Sequence, residues 1–154
     1  MKLDMAAKAV PLLDLRGVSA GYGDMSVLHD VTLQIYPAEV VALVGSNGAG
    51  KTTLLRALSR MLPCRGNMAM NSQDLLPMTS DRAFAAGLVQ VPEGRQLFDR
   101  MSVQDNLLMG AFIRDDKLAI IRDLDRMYTR FPRLAERQGT SALAVSIWWR
   151  ETPH

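Results

Sequence analysis

The alternation of hydrophobic and polar positions separates the chain into short, distinct stretches. Leu12-Leu13-Asp14-Leu15-Arg16-Gly17-Val18 predicts a first strand. Val31-Thr32-Leu33-Gln34-Ile35-Tyr36 alternates at period two, the mark of a strand with one face in a core. Gly21, Tyr22, Gly23 and then Val27-Leu28 lie between them, so the two predict a small antiparallel β unit. Beyond the Pro37-Ala38-Glu39 turn, Val40-Val41-Ala42-Leu43-Val44 is a continuous apolar run, the pattern of a parallel strand buried on both faces. Thr53-Leu54-Leu55-Arg56-Ala57-Leu58 then changes to helical spacing, with Leu54, Leu55 and Leu58 placed on one face. Pro63 and Gly66 punctuate a loop. Asp81 to Ala86 predicts a short helix, and Gly87-Leu88-Val89-Gln90-Val91 a second core strand. Ser102-Val103-Gln104-Asp105 reads as a capped helix start, with Asp105 where Glu or Gln is usual. Leu107, Leu108 and Ala111 follow on one face. Leu118, Ile121, Leu124 and Met127-Tyr128 recur at helical spacing and predict an amphipathic helix over 116–130 whose apolar stripe serves the core. A β-meander, a buried strand and helix, a second strand and a helical insert together imply an α/β domain.

Composition narrows the class. With 154 residues there is room for one domain with a real core. Hydrophobic residues at 48% and charged residues at 22% give an ordinary soluble balance. The formal charge of +2 is too small to argue for a nucleic-acid partner. The 18 Lys+Arg and 16 Asp+Glu are mixed without long runs, as on a solvated surface. No apolar stretch approaches a membrane span, and Met1 to Val10 carries Asp4 and no apolar core of the kind a signal peptide needs. The single Cys64 precludes an internal disulfide and suits a reducing compartment.

Chemistry enters at Gly45-Ser46-Asn47-Gly48-Ala49-Gly50-Lys51-Thr52, which fits G-x-x-x-x-G-K-[ST] without a mismatch. The glycines let successive backbone N–H groups turn inward around an anion. The helix that follows adds the partial positive charge of its N-terminus. Lys51 is placed to reach the outer phosphates of a nucleoside triphosphate, and the Thr52 hydroxyl to hold Mg²⁺. The motif specifies a nucleoside triphosphate but not which one.

With its flanks, this motif resembles the ATP-binding cassette of ABC transporters. Gly21-Tyr22-Gly23 stands where that family has an aromatic residue for the adenine ring, and a Tyr face can stack on a purine. Gln90, at the end of the second predicted core strand, stands where the family has its Q-loop glutamine, a ligand of Mg²⁺ and water. The resemblance implies ATP and Mg²⁺ as cofactors. Tyr22 and Gly45, Ser46, Asn47, Gly48, Ala49, Gly50, Lys51, Thr52 and Thr53 would bind nucleotide, Thr52 and Gln90 the metal, with Lys51 and Gln90 in catalytic roles. It implies a P-loop NTPase (RecA-like) α/β core with an N-terminal antiparallel β unit and the start of a helical subdomain, incomplete in this chain.

The stretch from Leu88 to Val103 is similar to the cassettes of branched-chain amino acid importers, in particular the second of their two ATPase subunits. Ser19-Ala20-Gly21-Tyr22-Gly23, Asn106-Leu107-Leu108-Met109-Gly110-Ala111 and Phe131-Pro132-Arg133-Leu134 fit the same branch, and importers of urea and short amides share much of it. Implied partners are membrane permease subunits and a second cassette in a head-to-tail dimer, with no nucleic acid. The implied location is cytoplasmic, peripheral on the inner face of the bacterial plasma membrane. Residues near Gln90 to Met101, with Leu97 and Phe98 as apolar anchors and Arg95 and Arg100 at the rim, would meet the permease.

The resemblance covers 11–137, the N-terminal part of such a domain. The expected continuation, a Leu-Ser-Gly-Gly-Glu signature, a Walker B strand ending Asp-Glu and a switch histidine, is not written in 138–154. That tail holds both tryptophans and reads as an aberrant segment, the product of a frameshift. Ala142 to Ser146 can be encoded GCT CTG GCG GTG AGC, and the same bases read from the third give Ser-Gly-Gly-Glu. The expectations are therefore an importer ATPase subunit present as a truncated, non-hydrolysing form, or a non-catalytic nucleotide-binding fragment. A small P-loop kinase is a third class, disfavoured because Arg95 and Arg100 make no basic cluster for a second phosphate substrate.

Overall fold

The computed structural model describes residues 10–94 and 96–144. They divide into two compact units, with the boundary between Val91 and Pro92.

In the first unit, β1 (Leu13–Tyr22) and β2 (Met25–Ile35) form the antiparallel hairpin that the alternating stretches predict, closing with Tyr22 opposite Met25. Two further strands, β3 (Cys64–Met70) and β4 (Gln73–Asp74), complete an antiparallel sheet of order β2-β1-β3-β4. β3 arises where the sequence pattern predicts a loop around Pro63 and Gly66. Gly66 does not end the strand; it lies within β3 opposite the irregularity in β1. Leu13 and Leu15 are buried, then Val18 and Ala20, so the inward phase of β1 slips by one residue at Gly17. The ladder registers of β1 with both neighbours shift at that point, as a β-bulge requires. The slip keeps the apolar side chains on the core face past the bend.

Helix α1 (Lys51–Leu58) lays Leu54, Ala57 and Leu58 into the core formed with Leu15, Val18, Leu28, Met68 and Leu75. Leu55, predicted on that face, turns outward and is 43% exposed. The inner row follows the i, i+3, i+4 spacing of 54, 57 and 58, with Thr53 buried beside it. Helix α2 (Ser80–Ala85) stands within one residue of the predicted helix and buries Ala83.

The two predicted core strands are corrected by the structure. Val40–Val44 and Gly87–Val91 lie outside the four-stranded sheet, and Val40 is 96%, Val44 91% and Val91 88% exposed. An apolar run states a demand for burial. A parallel strand meets that demand only when neighbours on both sides supply its hydrogen bonds, and the sheet here ends at β2 and β4.

The second unit is helical: α3 (Val103–Met109), α4 (Lys117–Arg130) and α5 (Pro132–Glu136). The α3 start is the capping box read from the sequence. Ser102 Oγ accepts from the Asp105 N–H at 3.0 Å, and the Asp105 carboxylate accepts from the Ser102 N–H at 3.3 Å. α4 matches 116–130, but its apolar stripe is split. Leu124 and Tyr128 are half-buried, whereas Leu118 is 77% exposed and Ile121 is exposed as well. Residues 138–144 pack in this unit: Val103 and Gln104 N–H groups donate to the Thr140 and Gln138 carbonyls, and Ala142 is buried. The remainder of the proposed tail, 145–154 with both tryptophans, lies outside the described residues. Among the described residues no helix is long and apolar enough to cross a membrane.

Candidate functional site

The glycine-rich loop and the first turns of α1 form the centre of the site. Gly48 and Gly50 take left-handed backbones, with φ of +85° and +89°, which curl the loop back toward the helix. The Ala49 N–H closes a turn on the Ser46 carbonyl at 3.2 Å. Gly50 is the αL residue from which α1 begins, and it is buried while Gly45 to Ala49 are exposed. A Cβ on Gly50 would stand 2.9 Å from Leu28 Cδ2, so a glycine lets β2 press against the helix start. Lys51 folds over the loop: its Nζ donates to the Gly45 carbonyl at 2.6 Å and to the Ser46 carbonyl at 2.7 Å.

Tyr22, the last residue of β1, meets α1 along its second turn. Arg56 Nη1 donates to the Tyr22 hydroxyl at 3.3 Å, and the buried Thr53 hydrogen-bonds the same oxygen. These donors, Thr53 first and then Arg56, hold the phenol below its ordinary titration range, because both stabilise the phenolate. The ring itself is 43% exposed. Sequence reading found Tyr22 but not Arg56. The only local signal was that Thr53 and Arg56 stand i, i+3 on one helix face.

Gln90 sits elsewhere. Its amide meets the hydroxyl of Ser59, the C-cap of α1, which also lies 2.6 Å from the Leu55 carbonyl. Thr52 is exposed in the first turn of the same helix, about 10 Å away along the axis at 1.5 Å per residue. The structure therefore brings together Tyr22, Thr53 and the loop, and leaves Gln90 at the far end of α1. A cleft of about 630 Å³ opens on the other flank of Tyr22, lined by Ser19 to Ser26 and Leu62 to Arg65; none of Gly45 to Thr53 borders it. Leu97 and Phe98 are half-exposed, and Asn106 clamps the Phe98 backbone through its carbonyl at 3.1 Å and its N–H at 2.9 Å. Arg95 lies outside the described residues.

The residues present suit a polyphosphate. The left-handed glycines, the exposed loop and an ammonium already drawn to its oxygen-lined mouth are the donor set such an anion needs. Among the described residues no three His, Cys, Asp or Glu side chains gather as a metal cage. A Mg²⁺ ion here would depend on phosphate oxygens and the Thr52 hydroxyl.

Comparison with known proteins agrees with this geometry. Residues 28–146 match the family described as ABC transporter, and the chain belongs to that family. It is 36% identical over 136 residues to the high-affinity branched-chain amino acid transport ATP-binding protein BraG of Pseudomonas aeruginosa, covering 88% of this chain and 58% of that protein. It is 32% identical over 111 residues to the ribose import ATP-binding protein RbsA 1 of Agrobacterium fabrum, covering 71% of this chain and 22% of that protein. A solved structure described as an ATP binding subunit of an ABC transporter superposes with a TM-score of 0.68 at 27% identity, covering 84% of this chain and 54% of that one. The chain thus spans little more than half of BraG. The fold is that of part of a P-loop NTPase cassette: an antiparallel sheet with the P-loop helix against it, and helices in a second unit.

Proposed function

We propose that this chain is the nucleotide-binding part of an ABC importer's ATPase subunit, the second of two such subunits in branched-chain amino acid uptake. The observation that carries the reading is the P-loop itself, with Gly48 and Gly50 left-handed and Lys51 arched over it. The transported solute rests on the similarity to BraG across 88% of the chain. Matches to ribose import proteins, one of them over 90% of the chain at 35% identity, leave a sugar as the competing solute, and urea or a short amide is a further alternative.

In this reading the backbone N–H groups from Gly45 to Thr53 and the α1 N-terminus hold the phosphates. Lys51 exchanges its two carbonyl bonds for charge-assisted bonds to the outer phosphates. The Tyr22 face takes the adenine ring. Thr52 holds Mg²⁺, which when bound would offset the phosphate charge. Gln90, held by the Ser59 hydroxyl, would be free to contribute its amide oxygen to the metal only once released from that hydrogen bond. Partners are permease subunits, with which the subunit should co-purify at the inner face of the membrane, and a second cassette. These 154 residues contain no Asp-Glu pair to fix metal and orient water, so the chain binds ATP without turning it over.

Titration calorimetry with ATP and Mg²⁺ tests the site. Lys51→Ala should weaken binding at least about tenfold, the loss of a charge-assisted phosphate contact. Equal affinity in the two proteins defeats the assignment. Robust phosphate release, abolished by Lys51→Ala, defeats the claim that this chain does not hydrolyse.

A further inference from the structure

The tip of the hairpin and the P-loop helix are joined by more than the core. Tyr22 ends β1, Val27 and Leu28 begin the return along β2, and all three meet the same short stretch of chain. Leu28 and Val27 close on Gly50 from one strand. From the other strand, the Tyr22 hydroxyl receives donors from Thr53 and Arg56. These two residues are one turn apart, so their side chains emerge from one face of α1 and converge on a single oxygen. An exposed tyrosine at a strand end has free rotation about two side-chain bonds. Two donors from one rigid helix remove that freedom at the far end of the ring.

We propose that Arg56 is a positioning residue. It pins the Tyr22 hydroxyl to α1, so that the aromatic face for the base and the loop for the phosphates move as one body, and it thereby sets affinity for the base without touching the nucleotide. This rests on the nucleotide reading of the P-loop. Arg56 lies outside the glycine loop, and its guanidinium is engaged at the phenol. Its influence should accordingly depend on the presence of a base in the ligand and on the presence of the Tyr22 hydroxyl. A planar fork with fixed donors suits this task better than an ammonium on a flexible stem.

The test compares ATP with inorganic tripolyphosphate, which has the phosphates and no base, on wild type, Arg56→Ala, Arg56→Lys, Tyr22→Phe and the Arg56→Ala/Tyr22→Phe pair. Arg56→Ala should weaken ATP about fivefold, as loss of one exposed charged hydrogen bond permits, and leave tripolyphosphate unchanged. Arg56→Lys should fall between it and wild type. In the Tyr22→Phe background Arg56→Ala should add nothing. The ultraviolet ionisation of Tyr22, isolated by subtracting the Tyr22→Phe spectrum, should move to higher pH in Arg56→Ala, which a merely structural arginine would not cause. Equal weakening of both ligands, no effect on either, additivity with Tyr22→Phe, or an unmoved phenol overturns the proposal. Wild type binding neither ligand is a different outcome: it removes the nucleotide site itself, and the role of Arg56 with it.

Discussion

At Gly66 the backbone leaves no room for any side chain. Its φ is +109°, a conformation open to glycine, and a Cβ there would lie 2.4 Å from the Gly17 carbonyl oxygen. Gly17, at φ +62°, is the bulge residue of the neighbouring strand. The two glycines form one device: the bulge in β1 is accommodated because β3 passes it without a side chain. Gly66→Ala should therefore combine backbone strain with a collision against main chain, and cost about 2–4 kcal/mol. Gly87 provides the comparison. It has a similar φ of +104° but open space around it, so Gly87→Ala should carry the strain alone, about 1 kcal/mol. Urea denaturation measures both. If the two variants lose the same stability, the close approach of β3 to Gly17 is not what requires glycine at 66.

Among the elements, those specified by near neighbours were the legible ones. The Ser102–Asp105 capping box is complete within four residues, and the β1–β2 hairpin follows from period-two alternation around one turn. β3 is hidden because Asn67-Met68-Ala69-Met70 has no β-branched residue and because a glycine that faces a neighbour's bulge looks like a loop glycine. Val40–Val44 and Gly87–Val91 were misread because apolarity reports a need for partners, not their presence. In the site, the glycine pattern was legible for the same local reason, whereas Arg56 reaches Tyr22 across 34 positions. The start of α4 shows a further element-level device. Arg114 binds Asp116 at 2.7 Å and Asp123 at 2.8 Å, tying the turn before the helix to its second turn. Hydrogen bonds from Arg114 hold both carboxyls below their ordinary range. Depressed carboxyls stabilise the folded state at pH above their unfolded values, and that contribution is lost as pH falls through about 4 toward the depressed values. Helicity of the chain should thus decline on acidification below about pH 5, and Arg114→Ala should flatten the decline. All three groups are partly exposed, so solvent screening keeps the effect small. An acid profile identical in the variant removes this ion pair from the account of acid sensitivity.

For the molecule as a whole, the telling feature of the first unit is apolar chain that its sheet does not use. Val40, Val44, Val89 and Val91 stand in water, on apolar segments outside the sheet, while Leu54, Ala57 and Leu58 of α1 are buried in the core. Exposed apolar segments with free backbone groups are templates for pairing with another chain. A second copy is the partner always present in solution, and the formal charge of +2 offers little repulsion to keep copies apart. The purified chain should accordingly self-associate with rising concentration and bind an apolar dye. Lysine at such positions is what natural edge strands use against pairing. Val40→Lys with Val91→Lys changes two side chains that are 96% and 88% exposed, so the fold of the unit should lose little. Sedimentation velocity across a concentration series should show the double variant shifted toward monomer, with its urea midpoint near that of the wild type. Association unchanged by the lysines would place the sticky surface elsewhere. A large fall in the midpoint would mean that Val40 and Val91 are packed in solution, and the picture of two unpartnered apolar segments would fail.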